Sequence, residues 1–332
     1  MSPATALDVT LDRPRLDQVR HGSVVITTEP AVFRIDGAGA LQCLQGLLTN
    51  DVAKPGDHSL VYGALLTPKG AIVFDAWVAR VPDGFTLIAA PGAHEPALEL
   101  FRRQLPPRLA RVTDQTGEMR SAWIVGAQAF QTLAKAGLGP LPEAAGRVAV
   151  VDTIQGRLIV ALAPERAPFA GFMLGPASAV QLAGDTLRGA GAVPGEAADL
   201  EAARILAGWP ALGAEIDERT LPQEVRYDEI GGVSYTKGCY TGQETVARLH
   251  FRGHTNRELR GLRWNATPPL EDRAITRDAK EVGTVRSTLE LSDRVIGLAI
   301  LRREVGPGDV VVAGGIEATV VGLPFTPAEL DG

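Results

Sequence analysis

Apolar positions along this chain switch between a period near two and a period near three and a half, and each switch predicts an element. β-Branched runs at Val24, Val25 and Ile26, and again over 32–35, read as short strands. Leu41, Leu44 and Leu48 then fall on one helical face, with Cys43 beside Leu47 as a small packed residue. A meander follows, with strands over 60–66, 71–81 and 85–89 and turns at 67–70 and 82–84. The stretch 94–105 reads as a helix carrying Leu98, Phe101 and Leu105 on one side. A second unit repeats the mixture: strand 122–125, helix 127–136, strands 148–152 and 158–163, helix 177–190. From about residue 256 the strands are short and broken by Gly, Pro and Asp: 262–264, 283–285, 295–301, 310–313 and 318–322. That spacing predicts a small β-barrel. Two strand-and-helix units of mixed order predict an α+β fold with antiparallel sheets.

Length and composition narrow the function. A chain of 332 residues is long enough for two or three domains. A formal net charge of −6 argues against duplex nucleic acid as the main partner. The longest uncharged stretch, 167–184, is broken by Pro168, Gly171, Gly175, Pro176 and Gln181, so no membrane span is expected. The N-terminal stretch carries acids and prolines and no apolar core of signal-peptide length, so a cytoplasmic protein is expected. Two cysteines cannot form a disulfide framework or supply the four thiolates of an iron–sulfur cluster. His250 and His254 have the spacing of a metal pair, but Gly253 interrupts them and no third ligand is near. There is no P-loop, and Gly37-Ala38-Gly39 lacks the third glycine of a dinucleotide fingerprint.

Three places carry candidate chemistry. Asp75 sits mid-strand, where alternation gives it the face of Val73, Trp77 and Val81. A carboxylate on an apolar face is costly unless it is paired or reached by water. Cys239 lies in Lys237-Gly238-Cys239-Tyr240-Thr241-Gly242-Gln243-Glu244. Thr241 and Glu244 have capping-box spacing, which predicts a helix beginning near Thr241. Cys239 would then precede a helix N-terminus with Lys237 close by, and both favour thiolate. The other reading of Cys239 is a small buried hydrophobe. Arg248, Arg252, Arg257, Arg260 and Arg263 form the most basic stretch, either a solvated face or a cationic rim for carboxylates.

The string KGCYTGQE with the following VARLHFRG resembles the signature of YgfZ-type folate-binding proteins. These share a superfamily with the aminomethyltransferase (T-protein) of the glycine cleavage system and are related to mitochondrial iron–sulfur assembly factors. Leu44-Gln45-Gly46 with 48–52, 66–70 with Asp75, 283–287, and 322–325 resemble the family's other motifs, so the likeness runs over about 20–326.

The resemblance implies two interleaved α+β units, each an antiparallel sheet with helices, and a C-terminal small β-barrel. These would form a three-lobed ring around a folate channel. The implied division is 18–50 with 118–220, 51–117 with 221–255, and 256–328, which places Asp75 and Cys239 in one unit. It implies tetrahydrofolate or another reduced folate as cofactor. Asp75, Gln243, Glu244 and Arg248 would hold it, and Cys239 with Lys237 would carry the chemistry. The family glutamate that meets the pterin is matched here by Leu206, an apolar residue, with Glu201 a few residues earlier. Two activities compete. One is a monomeric factor serving the assembly, repair or maintenance of iron–sulfur enzymes, tRNA-modifying ones included, through transient contact with those clients. The other is a folate-dependent aminomethyl or one-carbon transferase.

Overall fold

The computed structural model describes residues 7–331, so the first six residues of the N-terminal stretch lie outside it. The chain opens with β1 (Leu7–Thr10), α1 (Arg13–His21), β2 (Val24–Thr28), β3 (Ala31–Asp36) and α2 (Ala40–Gln45). The meander is β4 (Ser59–Leu66), β5 (Ile72–Val81) and β6 (Gly84–Ala89), followed by α3 (His94–Gln104) and β7 (Arg111–Asp114). Next come β8 (Met119–Val125), α4 (Ala129–Ala136), β9 (Arg147–Thr153), β10 (Gly156–Leu162) and β11 (Gly171–Pro176). They lead to α5 (Ala177–Gly189), β12 (Val193–Gly195) and α6 (Ala197–Leu206). After an irregular segment come α7 (Gln243–Arg252), β13 (Arg257–Trp264), β14 (Ala274–Arg277) and β15 (Lys280–Glu290). The chain closes with β16 (Val295–Arg302), β17 (Val310–Ala313), β18 (Ile316–Val321) and α8 (Pro327–Asp331).

The fold is α+β. Among the described residues eleven strands form one sheet, in the order β12-β2-β8-β11-β10-β9-β4-β5-β6-β3-β7. Its two halves meet at a single pairing, Ser59 with Arg147. The chain crosses from one half to the other between β2 and β3, at residues 29–30, whereas the division read from the sequence falls at residue 50. In the second sheet β15, β14, β17, β18, β13 and β16 close into a barrel through the β15–β16 pairing. Closure pairs each of these strands on both sides over part of its length. β1 adds to β15 in parallel, Leu7 against Ser287.

Both halves of the large sheet turn one face to a shared core. Ile26, Tyr62, Trp77, Trp123 and Phe172 meet there with Leu259, Leu298 and Phe325 from the barrel. The opposite faces are covered separately, by α2 and α3 over the meander and by α4 and α5 over β8, β10 and β11.

Two sequence readings need correction. Val73 does not share the face of Asp75. The β4–β5 register shifts there, pairing Leu65 with Phe74 and Leu66 with Ile72, so Val73 is a bulge residue packed with the other core. The stripe of α3 is Ala97, Leu100 and Phe101, while Leu98 is only half-buried. β11 escaped notice because its residues are almost all buried and show no alternation.

Phe74 is fully buried and meets Phe101 edge-on at 5.9 Å. Phe74→Ala should cost about 3–5 kcal/mol in urea unfolding. Ile154→Ala, at a side chain 94% exposed, should change stability little. Equal effects would contradict the core assignment.

Candidate functional site

A cavity of about 400 Å³ opens where the meander, β8 and α6 meet. Trp77, Trp123, Trp209, Tyr62 and Phe169 line it around Asp75. Trp77 and Trp209 stack at 5.6 Å, and Tyr62 tilts against Trp209 at 4.7 Å. Alternation along β5 delivers both Trp77 and Asp75 to this wall.

Asp75 is buried, and two phenols meet its charge. The Tyr62 hydroxyl donates to Oδ2 at 2.5 Å and the Tyr227 hydroxyl at 3.2 Å. The hydroxyls lie 3.0 Å apart. Burial raises the Asp75 pKa above its ordinary value, while the tyrosine bonds pull the other way. Burial also holds Tyr62 and Tyr227 well above the usual phenol range, so both stay protonated donors.

On another wall, α6 presents Glu201 and Arg204. Arg204 is buried and fully engaged: Nε to Glu201 at 2.7 Å, Nη1 to Glu215 at 2.9 Å and to the Trp209 carbonyl at 2.7 Å. Its Nη2 reaches Ser287 Oγ on the barrel at 2.9 Å. Arg204 thereby fixes Trp209 and joins α6 to β15. Leu206 faces a different cleft beside Phe325 and Leu330. Besides Asp75, the carboxylates on the cavity wall are Glu29 and Glu201.

Cys239 is exposed. The helix after it begins at Gln243, and the expected Thr241–Glu244 capping box does not form. Gly242 is the N-cap, in a left-handed conformation with φ +82°, and Thr241 Oγ1 lies 3.4 Å from Gln104 Oε1. A β-carbon at Gly242 would sit 2.7 Å from the Thr67 carbonyl, so the loop packs backbone to backbone on the 67–70 turn. Lys237 is buried, and its Nζ donates to the carbonyls of Leu48 at 2.6 Å and Asn50 at 2.8 Å. Burial pushes its pKa down to about 8, with Asp51 opposing.

Three of the sequence motifs therefore meet. Thr241 N–H donates to the Gly46 carbonyl at 3.0 Å, and Ser234 N–H to that of Thr49 at 3.0 Å. Thr49 Oγ1 donates to the Gly232 carbonyl at 2.6 Å. Asn50 Nδ2 donates to the carbonyls of Tyr62 at 2.8 Å and Gly231 at 2.7 Å. Asp75 faces inward from this framework and Cys239 outward. Gln243, half-buried, and Glu244 and Arg248, both exposed, lie on α7, and none of them lines the Asp75 cavity. Arg257 is held by Glu224 at 2.8 Å and Arg260 by Glu258. His250 stacks on Tyr235 at 3.6 Å and bonds Asp228 at 3.1 Å. Among the described residues no group of three or more His, Cys, Asp or Glu is arranged to hold a metal, and no helix is long and apolar enough to cross a membrane.

Residues 17–145 match the model of the GCVT N-terminal domain. The chain is 29% identical over 281 residues to the tRNA-modifying protein YgfZ of Enterobacter sp. (strain 638), spanning 82% of this chain and 83% of that one. The YgfZ of Escherichia coli O6:H1 is 27% identical over 287 residues, 84% and 85% of the two chains. Among solved structures, the glycine cleavage system aminomethyltransferase T of Bartonella henselae superposes with a TM-score of 0.79 at 18% identity, covering 94% of this chain and 89% of that one. The chain is thus similar to YgfZ over most of both lengths and shares the fold of aminomethyltransferase T.

The sequence reading singled out Asp75 and Cys239 but not the aromatic box. A signal was present: three of the four tryptophans line one cavity. Tyr227 gave none, because it sits in an irregular segment far along the chain from Asp75.

The raised pKa of Asp75 makes a pH prediction. The folded protein holds that proton to higher pH than the unfolded chain, whose carboxyl titrates near 3.8. Wild type should therefore lose stability relative to Asp75→Asn as pH rises from about 4 toward neutrality. Urea midpoints of both proteins across that range check it. A difference independent of pH would mean that the two phenols fully offset the burial.

Proposed function

We propose that this protein binds a reduced folate, tetrahydrofolate or a close derivative, in the Asp75 cavity. We further propose that with Cys239 it supports the assembly, repair or maintenance of iron–sulfur enzymes, including tRNA-modifying ones. The observation that carries this is the cavity itself, an aromatic box with a buried carboxylate. A pterin is a flat heteroaromatic ring with N–H groups along its edge. Tyr62, Trp77 and Trp209 offer faces for it, and Asp75 and Glu201 offer acceptors. A volume of about 400 Å³ suits a small ligand. Glu201 takes the acceptor role for which Leu206 is unfit.

Cys239 is assigned the chemistry on clients, because it is exposed and is not among the residues lining the cavity. Lys237 seats its loop. Gln243, Glu244 and Arg248 lie on α7, the helix that follows the thiol in the chain, outside the cavity lining, and are assigned to client contact in preference to folate. The YgfZ relatives are named for tRNA modification. With a net charge of −6 this chain would act on a modifying enzyme and not grip duplex RNA itself. Contact would be transient, by a monomer in the cytoplasm. A one-carbon transferase is the second reading, favoured by Asp75 on the cavity wall, where it could orient a reacting carbon.

Calorimetry with tetrahydrofolate should show saturable binding, weakened about tenfold or more by Asp75→Ala. Cys239→Ala should bind normally yet fail to restore iron–sulfur enzyme activity in a deletion strain. No binding at millimolar folate would sink the proposal. Full complementation by Cys239→Ala would leave the transferase reading standing in its place.

A further inference from the structure

The segment 231–242 that carries Cys239 contains no helix or strand. Many of its backbone and lysine bonds end on one short stretch, Gly46 to Asn50. Asn50 is central to that stretch. Its side chain donates to the Gly231 carbonyl, its own carbonyl accepts from Lys237, and its second side-chain bond goes to the Tyr62 carbonyl. The Tyr62 hydroxyl is in turn on Asp75. Tyr227 repeats the arrangement. Its hydroxyl is on Asp75, its carbonyl accepts from Gly232 N–H at 2.8 Å, and a β-carbon at Gly232 would sit 2.5 Å from its ring. Each tyrosine that meets the cavity carboxylate thus helps hold the cysteine segment from its backbone end.

We propose that occupancy of the Asp75 cavity and the stiffness of the Cys239 segment are coupled, through Tyr62 with Asn50 and Lys237 on one side and Tyr227 with Gly232 on the other. The inference rests on the folate reading of the cavity and adds a regulation to it. A ligand packed on Tyr62 and bonded to Asp75 fixes both phenols and so fixes the carbonyls to which the segment is tied. The ligated protein holds Cys239 in one place, and the empty one releases it to sample others. Asn50 and Lys237 are positioning residues here, since neither lines the cavity. Coupling is reciprocal, so whatever loosens the segment must weaken the ligand by the same free energy.

The experiment is hydrogen exchange by mass spectrometry on the intact protein, with and without saturating 5-formyltetrahydrofolate, its binding measured in parallel by calorimetry. Exchange across 231–242 should slow about fivefold or more on binding. Asn50→Ala should still bind the folate, more weakly, and its segment should no longer respond. Binding by wild type with unchanged exchange over 231–242 overturns the coupling and leaves the folate reading intact. Absence of binding overturns the folate reading, and the coupling with it. The wild-type comparison decides the matter even if Asn50→Ala does not fold. If it folds, an undiminished response in it overturns the proposed route.

Discussion

A carboxylate in an apolar core must be met by donors, and the pairing of Asp75 with Tyr62 and Tyr227 organises the rest of the site. It fixes two aromatic rings from distant parts of the chain. Tyr62 comes from the meander and Tyr227 from the segment before α7. Bringing them to one oxygen puts the second half of the chain against the first. The tryptophans then close round that point: Trp77 two residues along β5, Trp209 through Arg204, and Trp123 from the other half-sheet. Removing the carboxylate would leave the two buried phenols only each other as partner, and removing a phenol would take one of the carboxylate's two donors.

Arg204 plays the matching part at the barrel. A buried guanidinium is tolerated when its donors are met, and here carboxylates, a carbonyl and a hydroxyl meet them. Its partners come from α6, the 209–215 turn and β15, so one side chain holds three elements at the cavity edge. The Glu215 carboxylate is itself satisfied by Ser287 Oγ at 2.5 Å and by Ala211 N–H at 3.0 Å. Orientation of Trp209 is thus built into the packing of the barrel against α6.

Much of the fold was legible because its elements follow period. The meander was read within a residue or two, since β4, β5 and β6 are bounded by turn residues. Helices α4 and α5 were equally plain, whereas α6 was not read. Where periodicity was silent, tertiary burial had overridden it: β11 is buried almost throughout, and the bulge at Val73 reverses which side chains face the cavity. The site was legible only in part. Asp75 betrayed itself as a charge on an apolar face. The capping box at Thr241–Glu244 misled, because Gly242 adopts a left-handed turn to pack on the Thr67 carbonyl, a contact no local pattern encodes. The bonds of Lys237 were equally hidden from local pattern. Its nearness in sequence to Cys239 suggested activation of the thiol, whereas its ammonium is occupied by two carbonyls nearly two hundred residues earlier in the chain.

The chain order explains why an inward carboxylate and an outward thiol share one framework. Residues 46–50 and 59–75 are close in sequence, and 231–242 returns to them only after the chain has built the other half-sheet. Closing so long a loop is entropically expensive, and the bonds that secure it must hold against that cost. They do so on the backbone, with Lys237 Nζ, Thr49 Oγ1 and Asn50 Nδ2 all directed at carbonyls. Backbone anchoring leaves the Cys239 side chain free to face solvent while the underside of its loop, Tyr240, is buried in the shared core. A thiol carried this way lies on the surface and outside the cavity lining, so the chemistry proposed for Cys239 would be directed at a second molecule. The bonds that link the cavity to this loop run through the two tyrosines and the backbone between them.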